Sequence, residues 1–187
     1  MLQSRVRRLA RGAVLLPLLI CASSMAFGGV IQEMDGIFKS AQIHFNLGDM
    51  HKALDMFTEL RRRDSTFRGP EVQLYIPMCY EAMANLEQAY QEYRRFLERF
   101  PAAPSAPRVM VKLIALGKVL GKKGDINGLT QRLWKAIQNA SDNEKAPLLY
   151  DLALLERTAG ELSSAELFEE EVRKGYPHSV GSFWLSH

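Results

Sequence analysis

One short pattern recurs four times along this 187-residue chain, and that recurrence constrains the fold more than any other feature. Leu47-Gly48-Asp49-Met50-His51-Lys52-Ala53, Lys123-Gly124-Asp125-Ile126-Asn127-Gly128-Leu129 and Ala159-Gly160-Glu161-Leu162-Ser163-Ser164-Ala165 each run glycine, acid, apolar, two polar residues, then a small or apolar residue. Ala84-Asn85-Leu86-Glu87-Gln88-Ala89 lacks only the glycine. With Ala53, Ala89, Leu129 and Ala165 as markers, the repeats are 36, 40 and 36 residues apart, a period that belongs to stacked supersecondary units. A glycine in the left-handed conformation ends one helix, and an acid at the positive N-terminus opens the next. Each copy therefore predicts a helical hairpin, with turns near Gly48, Asn85, Gly124 and Gly160.

Beyond each marker, apolar residues follow at helical spacing: Phe57 and Leu60, Tyr93 and Phe96, Leu133 and Ala136, then Val172. These are inward stripes. Ser65, Pro101, Ser141 and Pro177 stand twelve residues past the markers, where a proline ends a helix. Ala41, Gly117 and Ala153 place small residues on the first helices, where a partner helix must cross closely, and Pro77 occupies that column in the second copy. Inside a helix Pro77 removes a hydrogen bond and costs about 3 kcal/mol unless the helix bends. Gln73, Glu156 and Glu169 are polar where apolar residues are usual, and Phe168 is a candidate to replace Glu169.

On these residues the chain resembles the tetratricopeptide repeat family from about Met34 to Pro177. The resemblance implies an all-α fold: a right-handed superhelix of four antiparallel helical hairpins, eight helices from about Met34 to Lys174 without a strand. Phe96-Leu97-Glu98-Arg99-Phe100-Pro101, followed by a Pro, Ala and Ser-rich connection to Pro107, is similar to the longer repeats of envelope-associated bacterial members. Among these are lipoproteins that assist outer-membrane barrel assembly and periplasmic proteins of the Tol-Pal system. They imply a non-catalytic scaffold for envelope proteins.

Residues 1–26 have the layout of a secretory signal peptide: Arg5, Arg7, Arg8 and Arg11 precede an apolar run from Ala13 to Ala22, and no acid occurs. The run is shorter than the ~20 residues of a membrane crossing, and Ser24-Met25-Ala26 supplies a small-x-small site, so cleavage is expected after Ala26. Residues 27–33 then read as a flexible lead, 34–177 as the repeat domain and 178–187 as a C-terminal cap or a partner-binding tail carrying Phe183 and Trp184. The alternative is lipidation at Cys21, which would make the chain a tethered outer-membrane assembly or pilotin-like factor; membrane contact follows only in that case. Removing four of the 24 Lys and Arg leaves 20 against 21 Asp and Glu, a net charge of −1. That argues against nucleic-acid binding despite a whole-chain pI near 8.9. The expected location is periplasmic or otherwise exported.

No phosphate-cradling loop, GxSxG elbow, HExxH or dinucleotide fingerprint occurs, so neither catalysis nor a cofactor nor a metal is expected. His44, His51, His178 and His187 form no ligand spacing with one another or with Cys79. Cys79 reads as a buried, inert thiol and His44 as a packed histidine. Glu169-Glu170-Glu171 read as a solvated face.

Solenoids bind extended peptides or helices along the first helix of each pair. The register places Phe38, Gln42, Phe45 and Asn46 there in the first hairpin, and Leu74, Met78 and Glu81 in the second. Ile114, Lys118 and Lys122 follow in the third, then Tyr150, Leu154 and Arg157 in the fourth. Phe45, Met78 and Tyr150 are the expected apolar anchors, while Lys118, Lys122 and Arg157 give a positive end. The partner is expected to be another protein, an envelope protein or one of its peptide segments.

Overall fold

The computed structural model describes residues 15–158, 160–179 and 185, apart from the side chains of 15–27, 123 and 125. The described residues hold eight helices and no strand: α1 (Leu15–Asn46), α2 (Met50–Arg63), α3 (Gly69–Ala82), α4 (Leu86–Arg99), α5 (Ala106–Val119), α6 (Lys123–Asn139), α7 (Asp142–Thr158) and α8 (Leu162–Gly175). They pack as the hairpins α1/α2, α3/α4, α5/α6 and α7/α8. The chain divides into two compact units, Met1–Phe67 and Arg68–His187. The first holds one hairpin and the second holds three.

Four turns of the same construction make the hairpins. Gly48, Ala84, Gly121 and Gly160 all have positive φ, at +82°, +58°, +70° and +82°. Each donates its backbone N–H to the carbonyl three residues back: Phe45, Glu81, Lys118 and Arg157. The following N–H, of Asp49, Asn85, Lys122 and Glu161, reaches the carbonyl five residues back: His44, Tyr80, Gly117 and Glu156. This pair of bonds is the Schellman motif, which satisfies carbonyls that a helix end would otherwise orphan. Ala84 adopts the left-handed turn without glycine, a conformation that costs an L-residue about 1–2 kcal/mol.

The third turn lies at Gly121, three residues before the expected Gly124, which falls in the first turn of α6. The true spacings are 36, 37 and 39 residues, and the residue equivalent to Ala53, Ala89 and Ala165 is Ile126 rather than Leu129. Those three alanines are fully buried in their hairpins. Ile126 is larger, and Gly117 on α5 makes the room: a Cβ at Gly117 would lie 3.2 Å from Ile126 Cγ1. Twelve residues past each turn, Leu60, Phe96, Leu133 and Val172 are all excluded from solvent. They form the inward stripe once the third hairpin is shifted.

In the full-length chain, residues 27–33, expected as a flexible lead, continue α1, which also spans the expected cleavage site at Ala26. Glu33 on this stretch accepts from Arg63 Nη1 of α2 at 2.7 Å. Residues 1–14 lie outside the described residues, as does most of the expected cap at 178–187, including Phe183 and Trp184. Leu185 is half-buried against the core of the second unit. The helix α3 continues through Pro77. Ser141 precedes α7, its N–H and hydroxyl both donating to Glu144 Oε2, at 3.0 and 2.6 Å; the bond from the N–H is one half of a capping box and satisfies one end-of-helix donor.

Candidate functional site

In the first unit, Phe38 is not on an open face. It is 3% exposed and meets the Phe57 ring edge-on at 5.9 Å between centroids. A period of 3.6 residues carries α1 from that inward side through half-buried Gln42 and Phe45 to exposed Asn46. Ile43 and Leu47 are exposed apolar residues that the register did not select. His44 is half-buried, its Nδ1 3.3 Å from Asp49 Oδ2. That is within ion-pair reach but without the alignment of a hydrogen bond, and no partner bonds the nitrogen.

In the second unit the first helices are α3, α5 and α7. Leu74 and Met78 are half-buried and pack against the hydrophobic core, so only part of each side chain is available. Tyr150 is half-buried, and Leu154 is 50% exposed. Ile114 is 3% exposed and belongs to the core. The three-residue shift explains this: Ile114 stands in the column of Ala41, Pro77 and Ala153, all of them buried at helix crossings. The positions equivalent to Leu74 and Met78 are Val111 and Ala115, which the sequence reading missed. The glycine of Gly121-Lys122 was the signal, since it precedes the Gly124 pattern by one helical turn.

At the expected positive end, each cation has an acid partner. Lys118 Nζ on α5 bonds both carboxylate oxygens of Glu156 on α7 at 3.0 Å. Lys122 is not on a first helix; it precedes α6 and bonds Glu87 Oε1 of α4 at 3.2 Å. Arg157 donates from Nε to Glu169 Oε1 at 3.1 Å, and its Nη2 bonds the same oxygen. Two further pairs join first helices: Lys112 Nζ to Glu81 Oε1 at 2.7 Å, and Arg108 Nε to Asp151 Oδ2 at 3.4 Å. Burial raises the Asp151 carboxyl above its ordinary value, against the pull of Arg108 and Lys112. The face along α3, α5 and α7 is thus laced by matched charges, and Leu154 with parts of Tyr150, Leu74 and Met78 are among its apolar elements.

The polar residues that depart from an apolar pattern each have a partner, as buried polar groups require. Gln73 Nε2 donates to Glu92 Oε2 at 3.0 Å. Glu156 takes Lys118. Glu169, 8% exposed, is held by Arg157 and lies 3.4 Å from Arg173, so it is not part of a solvated acidic face as Glu170 and Glu171 are. It keeps its own column, and Phe168 instead meets the Trp134 ring at 5.6 Å. Tyr93 donates its hydroxyl to Glu81 Oε2 at 2.8 Å, and burial raises its phenol far above the ordinary value.

Cys79 is fully buried, and burial pushes its thiol up to about 11, which removes the thiolate that nucleophilic chemistry needs. No group of three or more His, Cys, Asp or Glu that could hold a metal ion occurs among the described residues. Nor is any helix among them long and apolar enough to cross a membrane.

Residues 35–66 and 71–103 match the family described as Tetratricopeptide repeat, which covers the first two hairpins. A solved structure described as "Functional Characterization of Pseudomonas Aeruginosa pilF" superposes on 82% of this chain and 67% of its own, with a TM-score of 0.55 and 13% sequence identity. At that identity the likeness is one of fold. No curated protein matches this chain.

Proposed function

With tetratricopeptide repeats in its first two hairpins and the same turn repeated in the other two, we propose that this chain is a non-catalytic scaffold of the bacterial cell envelope. It binds a peptide segment or helix of another envelope protein. The observation that carries this reading is the face of α3, α5 and α7 in the second unit. Salt bridges brace neighbouring first helices while Leu154 and Tyr150 stay accessible between them. A rigid face presenting a few apolar anchors suits a protein ligand, because little ordering entropy is lost on binding. Since its cations Lys118, Arg157, Lys112 and Arg108 are matched by Glu156, Glu169, Glu81 and Asp151, affinity rests on apolar contact more than on attraction of an acidic segment. In the first unit, Phe45, Gln42 and Asn46 with Ile43 and Leu47 form a second candidate face. The basic, then apolar, then small-x-small order of residues 1–26 supports export with a mature start at Phe27; tethering at Cys21 is the alternative.

Photo-crosslinking to envelope proteins, with the probe at residue 151 and again at 154, tests the binding face. The expected result is one dominant adduct from both positions, lost from the residue-151 probe when Leu154 is changed to Glu, with the thermal midpoint unchanged because that side chain is already half in water. Adducts that persist in Leu154→Glu remove this face from consideration. Intact mass of the native protein decides between Phe27 and a lipidated Cys21, and a retained Met1 ends the export reading.

A further inference from the structure

Along α3, α5 and α7 the cations Arg108, Lys112, Lys118 and Arg157 each have an acid, but the acids are not held equally. Glu81 of α3 accepts from the Tyr93 hydroxyl at 2.8 Å and from Lys112 Nζ at 2.7 Å. Both carboxylate oxygens of Glu156 are bonded by Lys118 at 3.0 Å. Asp151 of α7 has Arg108 as its ion-pair partner among the described residues, and Nε lies 3.4 Å from Oδ2. A charge-assisted hydrogen bond is shorter, about 2.7–2.9 Å. Lys112 also acts on Asp151, but its ammonium is bonded to Glu81.

That looser hold matters because the Asp151 side chain is 29% exposed. A carboxylate taken largely out of water needs hydrogen bonds or opposite charge in return. Burial raises its carboxyl above the ordinary value, outweighing the pull of Arg108 and Lys112. A carboxylate has about four acceptor sites, so capacity remains for a donor from outside. Arg108 is 59% exposed, and an arriving cation can share or take its place at small cost. Asp151 and Leu154 stand three residues apart on α7, a spacing that makes them neighbours on one helix face, about 5–6 Å between Cβ atoms. Leu154 is 50% exposed. An under-bonded carboxylate therefore sits beside an accessible apolar side chain.

We propose that Asp151 selects the partner: the segment bound on this face carries a lysine or arginine beside a large apolar residue, with the cation at Asp151 and the apolar side chain on Leu154. This rests on the scaffold reading of the same face and adds the chemistry of its ligand. Apolar contact supplies most of the affinity and the cation discriminates among partners, so a crosslinking probe at residue 151 still captures the segment.

The test selects random dodecapeptides displayed on phage against the full chain and keeps those lost on Leu154→Glu. The synthetic peptides should pair Lys or Arg with an adjacent Leu, Ile, Met or Phe. Changing that basic residue to Gln should weaken binding by about fivefold to tenfold, between the worth of an exposed ion pair and that of a charge-assisted hydrogen bond. In Asp151→Asn the same change should make no difference, because the two sides of one contact are coupled. Arg108→Gln should tighten the basic peptide by removing a competing cation, whereas an ion pair of structural use alone would lose binding by either substitution. Selected peptides without a basic residue, an undiminished effect of that residue in Asp151→Asn, or weaker binding in Arg108→Gln overturns the assignment and leaves the scaffold face standing. Failure to select any peptide that is lost on Leu154→Glu removes the face itself, and the assignment with it.

Discussion

In the second hairpin Tyr93 of α4 donates to Glu81 of α3; in the fourth, at the same two places relative to the turn, Arg157 of α7 donates to Glu169 of α8. The acid has changed helices. In one case a carboxylate on the first helix, shared with Lys112, receives a buried hydroxyl. In the other a buried carboxylate on the second helix is reached by a half-exposed guanidinium. The crossings are otherwise alike, with Ala89 and Ala165 both fully buried. The small residue fixes how closely the helices approach, and the polar pair only has to be complete. The first hairpin makes the same point with Phe45 and Phe57 at these places and no polar pair at all.

The largest effect should come from the feature the two hairpins share. Ala89→Leu and Ala165→Leu should each lose about 1–3 kcal/mol in urea unfolding, because added methylenes overpack a closed crossing. A loss confined to one of them would mean that the crossings are not equivalent.

The polar pairs should respond differently. Tyr93→Phe should cost about 1.5–3 kcal/mol, the net worth of a hydrogen bond to a charged group, here a carboxylate that keeps Lys112. Glu169→Leu should lie within about 1 kcal/mol of wild type, since it replaces a buried charge by carbon and leaves Arg157 free to enter water. Equal losses in the two variants by chemical denaturation would erase the distinction.

The turns differ in one residue. Ala84→Gly should gain about 0.5–1 kcal/mol, because the left-handed conformation at φ +58° no longer opposes a Cβ. The same substitution has no counterpart at Gly48, Gly121 or Gly160. A loss of stability on denaturant titration would show that Ala84 packs as well as turns.

The smallest effect concerns the cap of the fourth hairpin, where the backbone N–H of Ser141 is bonded to Glu144, while in the second hairpin the side chain of Arg68 bonds Glu71 at 3.0 Å. The Ser141 hydroxyl and N–H hold the Glu144 carboxyl below its ordinary value. A carboxyl lowered in the folded state stabilises it fully above the unfolded value near 4.3, and that support fades as pH falls through the lowered folded value. The difference in thermal midpoint between wild type and Glu144→Gln should therefore be present at pH 6 and shrink toward pH 3. A difference independent of pH would leave the carboxylate no part in the cap.

The sequence by itself determined the helical hairpins, three of the four turns, and the crossing alanines Ala53, Ala89 and Ala165. Glycine at positive φ, small residues at close approach and apolar spacing are local constraints that every repeat must meet separately. The contact of Ser141 with Glu144, although local, was not read from the sequence and came only from the structure. Tertiary structure decided the third register. Gly121 and Gly124 are both able to end a helix, and the choice rests on Ile126 fitting against Gly117, a contact between two helices. That choice moved Ile114 into the core and brought Val111 and Ala115 into the columns of Leu74 and Met78. The same is true of the charges. Lys118 lies 38 residues from Glu156, and Lys122 lies 35 from Glu87. No local period links residues so far apart, so they looked like free cations until neighbouring hairpins supplied their acids.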